Sequence, residues 1–333
     1  MQRALELAQN GKGWVSPNPL VGCVIVHEGN IVGEGYHWQY GGPHAEVNAI
    51  NSVDDKSILP ESTVYVTLEP CAHFGKTPPC ADLLIENRVK KVVICNEDPN
   101  PKVSGQGIER MRTSGIEVSI GIQKEVGRFV NRRFFTSFEN KRPYVMLKWA
   151  QTSDGFVARS NFDSKWISNA YSRQLVHQWR AEEDAIMVGT NTAFYDNPSL
   201  TVRDWVGKDP IRVVIDRDLR LEKDLKLFDG NTQTICITEK NAKDQKNLAY
   251  LTVDRISAKT VLEILHAHEI QSVFIEGGAR LLQEFITENL WDEARIFTSD
   301  VCFGDGIFAP KISGKTILNR DIFGDRLEYI MNK

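Results

Sequence analysis

Short apolar runs, punctuated by turn residues and by stretches of helical period, set out the elements of this chain. Val21–Val26 and Asn30–Gly35 flank a Glu28-Gly29-Asn30 turn, and the pattern predicts a β-hairpin. A helix is expected from Pro43 through the HAEVNAI segment, since proline is tolerated in a first helical turn. Val64–Leu68 reads as a buried strand, followed by a helix over Ala81–Asn87 and a strand over Val89–Cys95. A helix at Gly107–Arg112 should stop at Ser114-Gly115, and Ile116–Ile120 should be a strand. Strands that alternate with helices indicate a layered α/β domain.

The polar segment Phe138–Pro143 is the expected boundary, because its proline restarts the chain in extended form. The alternation then begins again: strand Tyr144–Trp149, helix Ser168–Glu182, and strands Ala185–Val188, Arg212–Ile215, Thr234–Thr238 and Ser272–Ile275. A helix over Ala279–Glu288 follows. Two α/β domains are therefore expected, 1–140 and 143–333. A chain of 333 residues is long enough for each to bury its own core.

Composition narrows the function classes. Hydrophobic content of 41% and charged content of 25% are ordinary for globular proteins. The net charge of −4 argues against a surface built for nucleic-acid backbones. The basic stretch from Lys124 to Lys148 reads as a solvated helix face leading into a linker. No run of about 18 apolar residues exists to span a membrane. The opening MQRALELAQNGKG is an amphipathic helix start without the apolar centre of a signal peptide. Six cysteines are too few for a disulfide scaffold, so a reducing, cytoplasmic setting is expected.

Two of those cysteines belong to a metal-like constellation. His44-Ala45-Glu46 is followed, after a strand, by Pro70-Cys71 and then Pro79-Cys80. One imidazole and two thiolates can hold Zn²⁺ at three tetrahedral corners and leave the fourth to water, the pattern of a catalytic zinc. Such a zinc lowers the pKa of water toward neutrality. A carboxylate that is not a ligand must then move protons, and Glu46 stands two residues from His44 on the same first turn. This is the scheme of nucleobase deaminases. Eight residues separate the cysteines here, however, where the nucleic-acid and cytidine branches have two. Cys23, Cys95, Cys236 and Cys302 lie in or beside apolar strands and read as core. His73, inside the cysteine loop, is a candidate substrate contact, and His37 lies near the mouth of the same site. His27, His177, His266 and His268 read as surface or structural residues. In the second half, Ile275-Glu276-Gly277-Gly278 is a strand ending in a glycine pair that opens a helix. Its amides could cradle a phosphate, although the same sequence serves as a plain β–α turn and lacks the G-x-G-x-x-G spacing.

The strings TLEPCAHFGKTPPC (Thr67–Cys80), SPNPLVGCVIV (Ser16–Val26) and PHAEVNA resemble the bifunctional deaminase/reductase of riboflavin biosynthesis, the RibD family. The resemblance continues through LKWAQTSDG (Leu147–Gly155), GTNTAFYDNPSLTVR (Gly189–Arg203), PIRVVIDR (Pro210–Arg217) and FIEGG (Phe274–Gly278), so it covers nearly the whole chain. Lys76 stands where the family commonly has arginine, and Phe194-Tyr195-Asp196-Asn197 departs from a more usual Leu-Ala-Asp-Asp pattern.

The resemblance implies a cytidine-deaminase-like α/β/α layered domain followed by a dihydrofolate-reductase-like α/β domain. It implies one Zn²⁺ per chain on His44, Cys71 and Cys80, with Glu46 catalytic and Asn18, His73, Lys76 and Thr77 holding substrate. In the second half it places Ala150, Trp166, Thr192, Asp196, Gly278, Ala279, Arg280, Leu281, Leu282, Gln283 and Glu284 along NADPH. Ser164, Arg180, Leu200, Arg203 and Glu276 fall on the substrate, the two arginines suiting its phosphate. Lys148 and Glu276 are the ionisable groups that could assist hydride transfer. The implied activity is deamination of a phosphoribosylated diaminopyrimidinone, then NADPH-dependent reduction of its ribosyl chain, in a homo-oligomer assembled through the reductase domains. The alternative is a deaminase alone, with a regulatory or non-catalytic second domain.

Overall fold

The first hairpin closes on two residues, because His27 pairs with Asn30 around Glu28 (φ 48°) and Gly29 (φ 80°). Two left-handed residues match the twist of the flanking strands. The computed structural model describes residues 1–72, 78–101, 103–165 and 167–333, and these divide into two units, Met1–Asn140 and Lys141–Lys333.

The first unit has strands β1 (Gly22–His27), β2 (Asn30–Tyr36), β3 (Thr63–Leu68), β4 (Lys91–Asn96) and β5 (Glu117–Ile120) in the order β2-β1-β3-β4-β5. The hairpin and the β1/β3 pair are antiparallel, while β3, β4 and β5 run parallel. Its helices are α1 (Gln2–Ala8), α2 (Ala45–Asn51), α3 (Cys80–Glu86), α4 (Gln106–Thr113), α5 (Lys124–Val130) and α6 (Arg132–Asn140). Alternate residues of β1 face opposite layers: Cys23 and Ile25 pack with Ala49, Leu84 and Met111 of α2, α3 and α4, while Val24 meets Ala4 and Leu7 of α1. Both faces are thus covered, which gives the α/β/α layering. Gly35 of β2 has no room for a Cβ, which would lie 2.3 Å from the backbone nitrogen of Ala49, so α2 lies directly on the hairpin.

The second unit contains β6 (Tyr144–Gln151), β7 (Phe156–Ala158), β8 (Ala185–Gly189), β9 (Ile211–Ile215), β10 (Thr234–Thr238), β11 (Leu248–Thr252), β12 (Ser272–Gly277), β13 (Glu293–Thr298), β14 (Ile307–Phe308), β15 (Lys315–Ile322) and β16 (Asp325–Met331). Nine of these form one sheet, β11-β10-β9-β8-β12-β6-β13-β16-β15, parallel from β11 to β13 and antiparallel thereafter. Helices α9 (Ala258–Ala267) and α10 (Ala279–Thr287) cover one face through Val261, Leu265 and Phe285. On the other face, α7 (Ala170–Glu182) contributes Val176 and Trp179, and α8 (Thr190–Asp196) contributes Ala193. A strand buried on both sides has little need of polar alternation, which is why Tyr144–Leu147 reads as a continuous apolar run.

Two expectations shift. The helix expected from Pro43 begins at Ala45, because His44 is its extended N-cap (φ −72°, ψ 165°). Helix α6 runs through Phe138 to Asn140, inside the stretch expected to be linker, and Lys141 (φ 54°) breaks it.

Candidate active sites

In the first unit, three chain segments converge. His44 caps α2, Cys71 follows β3 through Pro70, and Cys80 opens α3. Their ligand atoms all lie within 4.8 Å of one another. His44 Nδ1 is 3.7 Å from Cys71 Sγ and 3.3 Å from Cys80 Sγ. Ligands about 2.0–2.3 Å from a tetrahedral zinc lie roughly 3.5 Å apart, so these three atoms suit that ion. Cys71 Sγ also accepts the Cys80 backbone N–H at 3.3 Å. The two thiols share a proton: the hydrogen bond from Cys80 pulls Cys71 down to about 4 against burial, and pushes Cys80 upward. A dication held by the pair would stabilise both thiolates.

Glu46 is buried, at 3% exposure. Burial first, and the negative charge of Cys71 second, raise its carboxyl to about 7, so it can both take and give a proton near neutrality. His37, left between two roles by the sequence, is buried beside His44 with ring centroids 5.4 Å apart. Its Nδ1 donates to Pro43 O at 2.9 Å, so Nε2 is the acceptor for Asn18 Nδ2 at 3.1 Å. That fixes the orientation of the Asn18 amide.

Glu69 is a residue that the sequence reading missed. Its buried carboxylate accepts four backbone N–H groups, from Asp98 and Gly105 on one oxygen and from Gly107 and Ile108 on the other, at 3.0–3.3 Å. It thereby ties the start of α4 to the segment that delivers Cys71. Gly107 is required there, since a Cβ would lie 2.0 Å from Pro70 O. The expected contacts His73, Lys76 and Thr77 lie outside the described residues.

In the second unit, the C-terminal ends of β8, β9 and β12 open onto a cavity of about 1070 Å³. Such ends are where open α/β sheets bind ligands. Lys148, Ala150, Ser164, Arg180, Thr192, Asp196, Leu200, Arg203, Glu276, Gly278, Ala279, Arg280, Leu281, Leu282 and Glu284 all line it. Trp166 lies outside the described residues. Gln283 of α10 is not among the residues that line the cavity. Its Nε2 reaches Thr287 Oγ1 and its Oε1 accepts Lys311 N–H.

Arg180 lines the cavity and is engaged within the protein. It holds Glu276 through two hydrogen bonds, at 2.6 and 2.9 Å, and donates a third to Thr201 O. Its charge is therefore balanced inside the protein, which leaves Arg203 as the less encumbered cation of the two. Burial pushes Glu276 up, but Arg180 and Lys148 outweigh it and hold the carboxyl below its ordinary value. Lys148 is lowered by burial, against the attraction of Glu276. Gly278 is the N-cap of α10 and, as glycine, has no side chain with which to cap the first turn. A Cβ at Gly278 would press on Thr192 Oγ1 at 3.0 Å, so glycine is what lets α8 approach. Asp196 accepts from Ser164 Oγ at 3.2 Å across the cavity mouth, and burial raises its pKa. Tyr195 stacks on Phe162 with centroids 4.2 Å apart.

A zinc cluster with a buried proton carrier, and a parallel-sheet cavity opening on a glycine turn, define a deaminase joined to a reductase. Residues 1–96 match the cytidine and deoxycytidylate deaminase zinc-binding region, and residues 143–319 match the RibD C-terminal domain. The chain belongs to the RibD family of riboflavin biosynthesis proteins. It is 42% identical to riboflavin biosynthesis protein RibD of Aquifex aeolicus (92% of this chain, 88% of that one). It is 36% identical to RibD of Escherichia coli K12 (94% and 88%). A solved structure from Thermotoga maritima superposes over 100% of this chain and 97% of its own, with TM-score 0.92 and 39% identity. That protein is described as a diaminohydroxyphosphoribosylaminopyrimidine deaminase/5-amino-6-(5-phosphoribosylamino)uracil reductase. RibD proteins are bifunctional, deaminase and reductase in one chain, and act on a small pyrimidine; this chain carries both domains. The reductase domain implies a nucleotide cofactor. Among the described residues, no helix is long and apolar enough to cross a membrane.

Proposed function

We propose that residues 1–140 hydrolyse the 2-amino group of 2,5-diamino-6-(5-phosphoribosylamino)pyrimidin-4-one and that residues 143–333 then reduce the ribosyl chain to ribityl with NADPH. The observation that carries the reading is Glu46, buried beside three metal-type ligands without being one of them.

His44, Cys71 and Cys80 would hold a zinc ion, which would supply an acidified water. Glu46 would carry one proton of the attacking water to the ring nitrogen and the other to the leaving amine, so that the C–NH₂ bond is exchanged for C=O and ammonia leaves. Asn18, held by His37, presents its Oδ1 to the ring. His73, Lys76 and Thr77 would complete that pocket.

In the second domain, bound NADPH would supply the hydride. The start of α10 at Gly278 and the close Thr192 suit its pyrophosphate, and Ala150 and Asp196 border the same space. Lys148 would be the proton donor, with the attraction of Glu276 opposing the burial that lowers its pKa. Ser164, Leu200 and Arg203 hold the substrate, and the Arg180–Glu276 pair forms the wall beneath it. The exposed edge strand β15 suits assembly into a homo-oligomer through this domain. Six unpaired cysteines suit a cytoplasmic setting.

The test is incubation of the protein with the diaminopyrimidinone phosphate, with and without NADPH, and identification of products by mass. Deaminated product alone without NADPH, and the ribityl compound with it, is the expected result. Deaminated product under both conditions leaves a deaminase with a non-catalytic second domain.

A further inference from the structure

We propose that His177 is a positioning residue for reduction: the lone pair of its Nδ1 holds the loop Leu200–Asp204 so that Arg203 faces the substrate phosphate. The inference rests on the reading of the second domain as a reductase.

His177 and Arg180 lie three residues apart on α7, on the face that lines the cavity. Arg180 donates to Thr201 O at 3.1 Å. The backbone N–H of Arg203 points to His177 Nδ1 at 3.3 Å. A backbone N–H only donates, so Nδ1 is the acceptor and the ring proton sits on Nε2, 3.4 Å from Asp204 Oδ2. Val202 N–H in turn donates to Asp209 Oδ1 at 2.7 Å. Each residue from Thr201 to Asp204 is thus held by at least one side chain, Thr201 also by Arg203 Nη1 on its Oγ1 at 3.3 Å, and Leu200 enters the loop with φ 53°. His177 is the buried member of its pair, at 5% exposure.

Protonation of His177 would place an Nδ1–H against the Arg203 N–H and release the loop. The surroundings oppose that charge. Burial lowers the imidazole pKa most, the Arg180 and Arg203 cations lower it further, and Asp204 and Glu276 only partly offset them. Arg173, one turn earlier on α7 and also on the cavity wall, adds no countercharge. The ring is therefore neutral at pH 7, and the latch fails only as the pH falls below the ordinary histidine value.

The test uses the full-length chain with pre-deaminated substrate and saturating NADPH, from about pH 5.5 to 8. Ammonia release and the NADPH Kd serve as controls for folding. His177→Leu, which lacks the acceptor, should raise KM for reduction by about 3- to 10-fold at pH 7.5 with kcat within about twofold. His177→Asn places its Oδ1 near the position of Nδ1 and should restore KM. It should also abolish the acid-side rise in KM that the wild type shows, since an amide does not titrate. The KM ratio of the two proteins cancels ionisation of the substrate phosphate itself. Wild-type KM in His177→Leu, or an acid-side rise in His177→Asn equal to that of the wild type, overturns the proposal. Absence of reduction by the wild type overturns the reductase reading and this proposal with it.

Discussion

Replacing Glu276 by glutamine keeps the shape of the side chain and deletes the charge that balances Arg180. The two side chains are each 10% exposed and meet at 2.6 and 2.9 Å. Two charges about 4 Å apart at an effective dielectric near 20 attract by about 4 kcal/mol. Removal of one partner from such a pair typically costs about 3–5 kcal/mol, because the other charge stays buried. Glutamine still accepts one guanidinium N–H, so the lower end, about 3 kcal/mol, is expected. In a domain of this size that lowers Tm by roughly 6–12 °C. Lys148 also loses the anion that raises its pKa, and fewer ammonium groups remain to donate a proton. Reduction should fall by about 10²–10⁴-fold. Scanning calorimetry with and without NADPH identifies the reductase transition as the one that the cofactor shifts. Reduction of pre-deaminated substrate and ammonia release are followed in parallel, and ammonia release should be unchanged. A reductase transition within about 1 °C of the wild type, together with unimpaired reduction, would refute the reasoning.

Two further perturbations address the first domain. Cys80→Ser should take zinc from about one per chain to near zero by elemental analysis and abolish deamination, while reduction of pre-deaminated substrate persists. Glu69→Gln turns an amide group toward two of the four backbone donors, so unfolding of the first domain should become easier by about 3 kcal/mol or more, with deamination impaired and reduction spared; denaturation followed by loss of ammonia release checks this.

Local chemistry made the zinc site readable. His44 and Glu46 sit on one helix end, and Cys71 and Cys80 stand at the ends of elements whose apolar patterns are plain. The hairpin was equally plain, since Glu28-Gly29 supplies the two left-handed residues it needs. Glu69 was invisible because its partners are backbone groups 29 to 39 residues away, which carry no side-chain signature. His177 was read as bland for the same reason: its acceptor role exists only once Arg203 folds back over α7. Strand β15 was missed because KTILNRDI is solvent-exposed along most of its length and shows no period.

The central claim is that two independent sites act in sequence, and Glu46→Gln tests it most directly. The substitution keeps the reach of the side chain and removes its proton transfer. The variant should retain about one zinc per chain, lose deamination by about 10²–10⁴-fold and reduce pre-deaminated substrate at the wild-type rate. Loss of zinc would make Glu46 a metal ligand, and loss of both activities in a folded protein would mean a single shared site; either result contradicts the account.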